Sequence, residues 1–222
     1  MTTSPVAVPT PPLGAFPRVF PRATLGVRLT RLHLVSRQVP RAVAVLAGCA
    51  LLLRAALLLH WAPGAGPLAQ QFPLAVESTA AMVIAVSLGS PFGESERTAG
   101  RRLPLLRLGA ALGLSALALG ALSLGAASAH LPGGEPELAR DLAGSIGIGL
   151  LTACAFGGSV AWAGPLAYLA VAEFALTGTW HSPWMWADRP PHDLGAALCA
   201  GLMLVAGTAA VTVLGTRDRE RE

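Results

Sequence analysis

Arg54, Glu77 and Glu173 interrupt otherwise apolar runs of this 222-residue sequence, and they are its first candidates for chemistry. A charge at the middle of a hydrocarbon layer costs at least about 2.5–3.5 kcal/mol on insertion scales, so each needs a partner or a water-filled cavity. At about 1.5 Å of rise per residue, Arg54 lies about 12 Å from the end of its run, and Glu77 and Glu173 lie about 8–9 Å from theirs. These depths predict an Arg54–Glu77 pair, with Glu173 in reach. Such a pair would be either a polar lining or gate within the membrane, or an ion pair that fixes the packing of two spans.

Other reactive side chains do not assemble in the sequence. His60, His130, His181 and His192 map near one face of the membrane, but no HxxxH or ExxH spacing joins them, and they read as interfacial residues. Cys49, Cys154 and Cys199 each fall inside an apolar run with no CxxC spacing, as small apolar fillers would. A GxSG-type serine, an HExxH helix, paired intramembrane aspartates and a Walker lysine are all missing. The expectation is a chain without catalytic residues, bound cofactor or metal of its own.

Composition sets the elements that must position these residues. Hydrophobic residues make up 53% and charged residues 13%, against roughly 25% charged in an ordinary soluble domain. The depletion of charge points to an integral membrane protein. Leu, Ala and Gly dominate and aromatics are few, which favours helices packed through small residues over a barrel with aromatic girdles. The net charge of +4 arises from arginine alone and reads as topology, not as a nucleic-acid surface. The predicted fold is an all-α polytopic membrane protein with six transmembrane helices, near 42–62, 72–90, 105–128, 142–158, 161–179 and 194–216.

Residues 1–19 are Pro-rich and read as a disordered cytoplasmic tail. Residues 20–41 mix five arginines with leucines on one helical face and read as an interfacial amphipathic helix. The transmembrane domain then covers 42–216, and 217–222 form a second cytoplasmic tail. Arginine crowds the segment before the first span, the 91–107 connection and the tail, and is scarce in the alternate connections. The positive-inside rule therefore predicts a multi-pass protein of the cell membrane with both termini cytoplasmic. Trp180, Trp184 and Trp186 would then mark the outer interface. Helix packing through small residues is expected at Gly109 and Gly113, at Gly144, Gly147 and Gly149, and at Gly195, Gly201 and Gly207.

The largest internal charged surface is PFGESERTAGRRLPLLR, residues 91–107. One or two helical turns there would present both charge signs to a soluble partner before Pro104 admits the chain to the third span.

This layout resembles the membrane (permease) subunit of an ABC-2-type transporter. The resemblance rests on the basic N-terminal helix, the six spans and the charged run SPFGESERTAGRRLPLLRL, residues 90–108, which is similar to the loop of short actinobacterial permeases. It implies an exporter subunit without its own ATPase, coupled through residues 91–103 to an ATP-binding cassette subunit that holds ATP and Mg. Glu94, Glu96, Arg97, Arg101 and Arg102 would be the coupling contacts, and a second membrane subunit would complete the path in the bilayer. The 178–193 connection is too short for the external helix pair of larger relatives, and the importer-type EAA loop is not reproduced. The rival reading is a non-transport membrane scaffold or sensor subunit.

Overall fold

A computed structural model describes residues 39–59, 67–89, 103–127, 129, 131, 133–176, 182 and 184–216. The tail 1–19, most of the 20–41 segment, the 91–102 connection and residues 217–222 lie outside the described residues.

Among the described residues the structure is helical, without strands. Its helices are α1 (Val39–Leu58), α2 (Pro67–Ser87), α3 (Leu103–Ala126), α4 (Gly134–Phe156), α5 (Ala163–Leu176) and α6 (Leu194–Val213), with short 3-10 turns at Gly158–Val160 and Trp186–Asp188. Four of them, α1, α3, α4 and α6, are long and apolar enough to cross a membrane. The protein is thus a helical membrane protein. α2 falls below that standard because Gln70, Gln71, Glu77 and Ser78 dilute its apolar run. α5 falls below it by length, since its 14 residues rise only about 21 Å against a hydrocarbon core of about 30 Å.

Contacts between specific residues give the direction of each helix. Gly149 of α4 lies against Ala85 of α2 and Pro165 of α5, while Gly164 packs on Thr152 and Ile148. α5 therefore turns back antiparallel along α4, and the connection is a tight hairpin through Gly157, whose φ is 100°. α6 runs parallel to α4, because Gly147 abuts Met203 and Leu150 abuts Gly207. α3 runs parallel to α1, with Gly125 on Ala50, and antiparallel to α6, with Arg107 against Gly215. The N-terminal end of α1 and the C-terminal end of α6 consequently share one end of the bundle.

α4 is the axis. It packs most extensively on α6, then on α2, and it also touches α3 and α5. Inside its most apolar window 61% of the residues are buried, against 28% for α1 and 22% for both α3 and α6. The remaining helices turn large side chains outward, among them Leu51, Leu105, Leu124, Phe174 and Leu198. In water such a surface would aggregate, and in lipid it is the expected outer coat.

Hydropathy places the start of the fourth span near residue 142. The helix in fact begins at Gly134, and Glu135, Glu137, Arg140 and Asp141 belong to it. Pro136 near its start and two acids in its first turn are ordinary helix-start chemistry, the acids answering the N-terminal dipole.

Glycine placement separates used from unused spacings. A Cβ on Gly207 would stand 2.6 Å from the Gly147 carbonyl oxygen, and one on Gly147 would collide with the Met203 backbone. Gly109, Gly113 and Gly201 instead face open space, so the GxxxG of α3 packs against no other helix among the described residues. Gly147→Ala is expected to destabilise the purified protein by about 1–3 kcal/mol through overpacking. Gly109→Ala is expected to stabilise it by up to about 1 kcal/mol through helix propensity alone. Thermal unfolding in detergent micelles checks the opposite signs.

Candidate functional site

Polar side chains gather at the end of the bundle where α2, α4 and α6 begin. Arg140 of α4 is 5% exposed and Asp141 4%. Arg140 Nε donates to Asp141 Oδ1 at 2.9 Å, and its Nη1 donates to the Pro190 carbonyl oxygen at 2.8 Å. The guanidinium thereby ties α4 to the connection that precedes α6.

That connection is folded inward. Trp186 is buried, its ring stacked on Tyr168 of α5 at 4.5 Å between centroids. Gly144 makes room for the indole, which occupies the place a Cβ would take. The Tyr168 hydroxyl accepts the Ala187 N–H at 3.2 Å. Asp193 then caps α6, accepting from the Gly195 and Ala196 N–H groups at 2.8 and 3.1 Å. The bonds from Ala196 and Gly195, with Arg189 nearby, hold the Asp193 carboxyl below its ordinary range. The expectation that Trp186 marks the outer interface is therefore corrected. Trp184 is half exposed, whereas Trp186 is a packing element. Trp180 lies outside the described residues.

Glu77 of α2 completes the cluster. It is 3% exposed, and its electrostatic neighbours are Asp141, Glu137 and Arg140. Gln70, Pro73, Leu74 and Glu77 face Leu131, Glu137, Leu138 and Asp141 across a small cavity, in which about 10 Å³ is open to the centre of a water molecule. That is room for about one water. Oε2 of Glu77 and Oε2 of Glu137 are buried without a hydrogen-bond partner, as is Nη2 of Arg140.

The predicted intramembrane trio does not assemble. Arg54 Nη1 donates to the Ala127 carbonyl oxygen at 3.1 Å, joining the ends of α1 and α3, and no ion pair links it to Glu77 among the described residues. Glu173 sits on α5, only partly covered, and joins neither. The reason is geometric: α2 turns Glu77 towards α4, so its cationic neighbour is Arg140. Glu94, Glu96, Arg97, Arg101 and Arg102, together with His60, His130 and His181, lie outside the described residues. His192 is exposed in the connection before α6. The three cysteines are free thiols on separate helices.

Sequence reasoning missed Glu137, Arg140 and Asp141 because they were assigned to a connection. The acidic first turn after Pro132-Gly133-Gly134 was the signal that a helix starts earlier.

In comparison with known proteins the chain matches no family model, and no curated protein or solved structure is similar to it.

Removing one member of a buried pair strands the other charge, at about 3–5 kcal/mol. Arg140→Ala is therefore expected to cost more than Arg54→Ala, which frees only a carbonyl at the helix ends. In double-mutant cycles with Glu77→Gln, Arg140→Ala should couple by about 0.5–3 kcal/mol and Arg54→Ala by less than about 0.5. Unfolding midpoints in micelles measure both.

Proposed function

We propose that this chain is the membrane-spanning permease subunit of an ATP-driven transporter of the ABC-2 type, and more specifically an exporter of an amphipathic or hydrophobic compound. All six helices serve as spans in this reading, with both termini in the cytoplasm of the cell and the bundle in its cytoplasmic membrane. The charged 91–103 connection couples to a separate ATP-binding subunit, which holds ATP and Mg. A second membrane subunit, a copy of this chain or a related one, completes the path.

One observation carries the reading: α2 spans the distance between two polar features. Gln70 lies in its first turn and Glu77 at its midpoint, both lining the polar cavity against α4. The turn after its end, at Leu88 and Gly89, precedes in sequence the charged connection with Glu94, Glu96, Arg97, Arg101 and Arg102. A push on that connection would be transmitted along α2, which packs on α4 over a seam of small residues such as Ala81, Ala85 and Gly149. Seams of this kind let helices slide or tilt with little loss of contact. The polar cavity is then the far end of the lever, and opening it would admit water or substrate from the other side. Catalysis in this scheme belongs wholly to the partner.

Pull-down of the tagged chain in mild detergent tests the proposal. An ATP-binding subunit is expected to co-purify, and Glu96→Ala and Arg97→Ala are expected to reduce its recovery or turnover by severalfold. A chain that emerges alone, or with a partner that binds no nucleotide and ignores both changes, would instead be a scaffold or sensor subunit.

A further inference from the structure

Packing does not explain Glu77. The side chain is 3% exposed, lines the cavity between α2 and α4, and has an Oε2 atom with no hydrogen-bond partner. Glu137 brings a second buried and unpartnered Oε2 to the same cavity from the first turn of α4. Arg140 is the cation at hand, but its two placed hydrogen bonds go to Asp141 and to the Pro190 carbonyl. One guanidinium thus answers three carboxyl groups. Uncompensated charge in a water-poor interior costs several kcal/mol per ion, so a cluster with this imbalance recruits positive charge.

We infer that the cavity binds one compact cation, a proton or a sodium ion, held by Glu77 and Glu137. Its volume, with about 10 Å³ for the centre of a water molecule, excludes an alkylammonium group or a larger substrate. No three Asp, Glu, His or Cys side chains among the described residues are grouped as a metal cage. A sodium ion would therefore lean on these two carboxylates and on Gln70 or water, whereas a proton needs only a carboxylate. Every element around the cavity contributes to its field. α2 gives Glu77 and α4 gives Glu137, Arg140 and Asp141, while Tyr168 of α5, engaged by Ala187, stands near Arg140 and Asp141 outside the cavity lining. In the connection before α6, Arg189 and Asp193 pair with each other at 3.4 Å, outside the cavity lining. The cation bridges α2 and α4 while they are closed on each other. When they part, water enters, the cation passes to that water, and the carboxylates are hydrated in its place. This inference is independent of the transport reading, because it concerns the α2–α4 contact alone.

Unfolding midpoints of the purified full chain in micelles test it in two series. In one, NaCl replaces choline chloride at constant ionic strength and pH, and in the other pH varies at constant sodium. Above the binding constant, the midpoint should rise on the order of 3–5 °C per tenfold increase in the cation that binds. The series that responds identifies sodium or the proton. Glu77→Gln should abolish the dependence, while Glu135→Gln, an exposed acid of the same first turn, should keep it. A folded, monodisperse Glu77→Gln protein with the wild-type dependence in the responding series overturns the inference. If that variant does not fold, Glu137→Gln takes its place with the same criterion. A wild-type midpoint indifferent to both cations overturns it without any variant.

Discussion

Everything at the polar end of this bundle depends on how Arg140 is kept inside it. A guanidinium in hydrocarbon costs least when its charge is balanced and its N–H groups are engaged. Asp141 supplies the charge at Nε and Pro190 a carbonyl at Nη1, which leaves Nη2 without a partner among the described residues, and the two contacts made shape the fold. The Pro190 contact holds the 184–193 connection against the bundle. Trp186 can then fill the space above Gly144, and Asp193 stands where it caps α6. The placement of the last helix therefore follows from a buried cation on the fourth.

The second constraint is backbone proximity. In lipid, apolar side chains gain little by leaving the solvent, so helices associate through close packing and hydrogen bonds. α4 meets that demand on several sides at once. Gly147 faces α6, Gly149 faces α2 and α5, and Gly144 faces the indole of Trp186. A helix with one glycine-bearing face could hold one neighbour, whereas α4, with glycines turned in different directions, is surrounded. Its burial, far above that of α1, α3 and α6, is the consequence.

These constraints explain what could be read in the sequence and what could not. Charge depletion and the Leu, Ala and Gly content announced a helical membrane protein, because both are bulk properties of a chain dissolved in lipid. Arg54 and Glu77 were recognisable as costly residues for the same reason. Their partners were not recognisable, since the rotation of a helix about its axis leaves no trace in hydropathy. Glu137, Arg140 and Asp141 were taken for a connection because a hydropathy window starts a span where charges end, although α4 begins among its charges. Trp186 illustrates the converse error. An indole near a membrane surface is expected at the interface, but the space over Gly144 and the ring of Tyr168 offered it a dry stacking partner. The glycines of α4 were legible as a crowd, yet nothing in their spacing distinguished them from Gly109 and Gly113, which face open space.

The two constraints act differently on α2. Along its second half, Ala81 and Ala85 meet α4 through small groups, and such contacts change little when one helix shifts on the other. At its midpoint, Glu77 meets Glu137, Asp141 and Arg140, where a shift alters charge separation in a medium that screens poorly. Displacement of α2 is therefore electrostatically steeper at Glu77 than along the small-residue seam that follows it. The polar cavity is then the part of the bundle whose energy depends most on where α2 sits, although α2 is among the helices least suited by composition to stand alone in lipid.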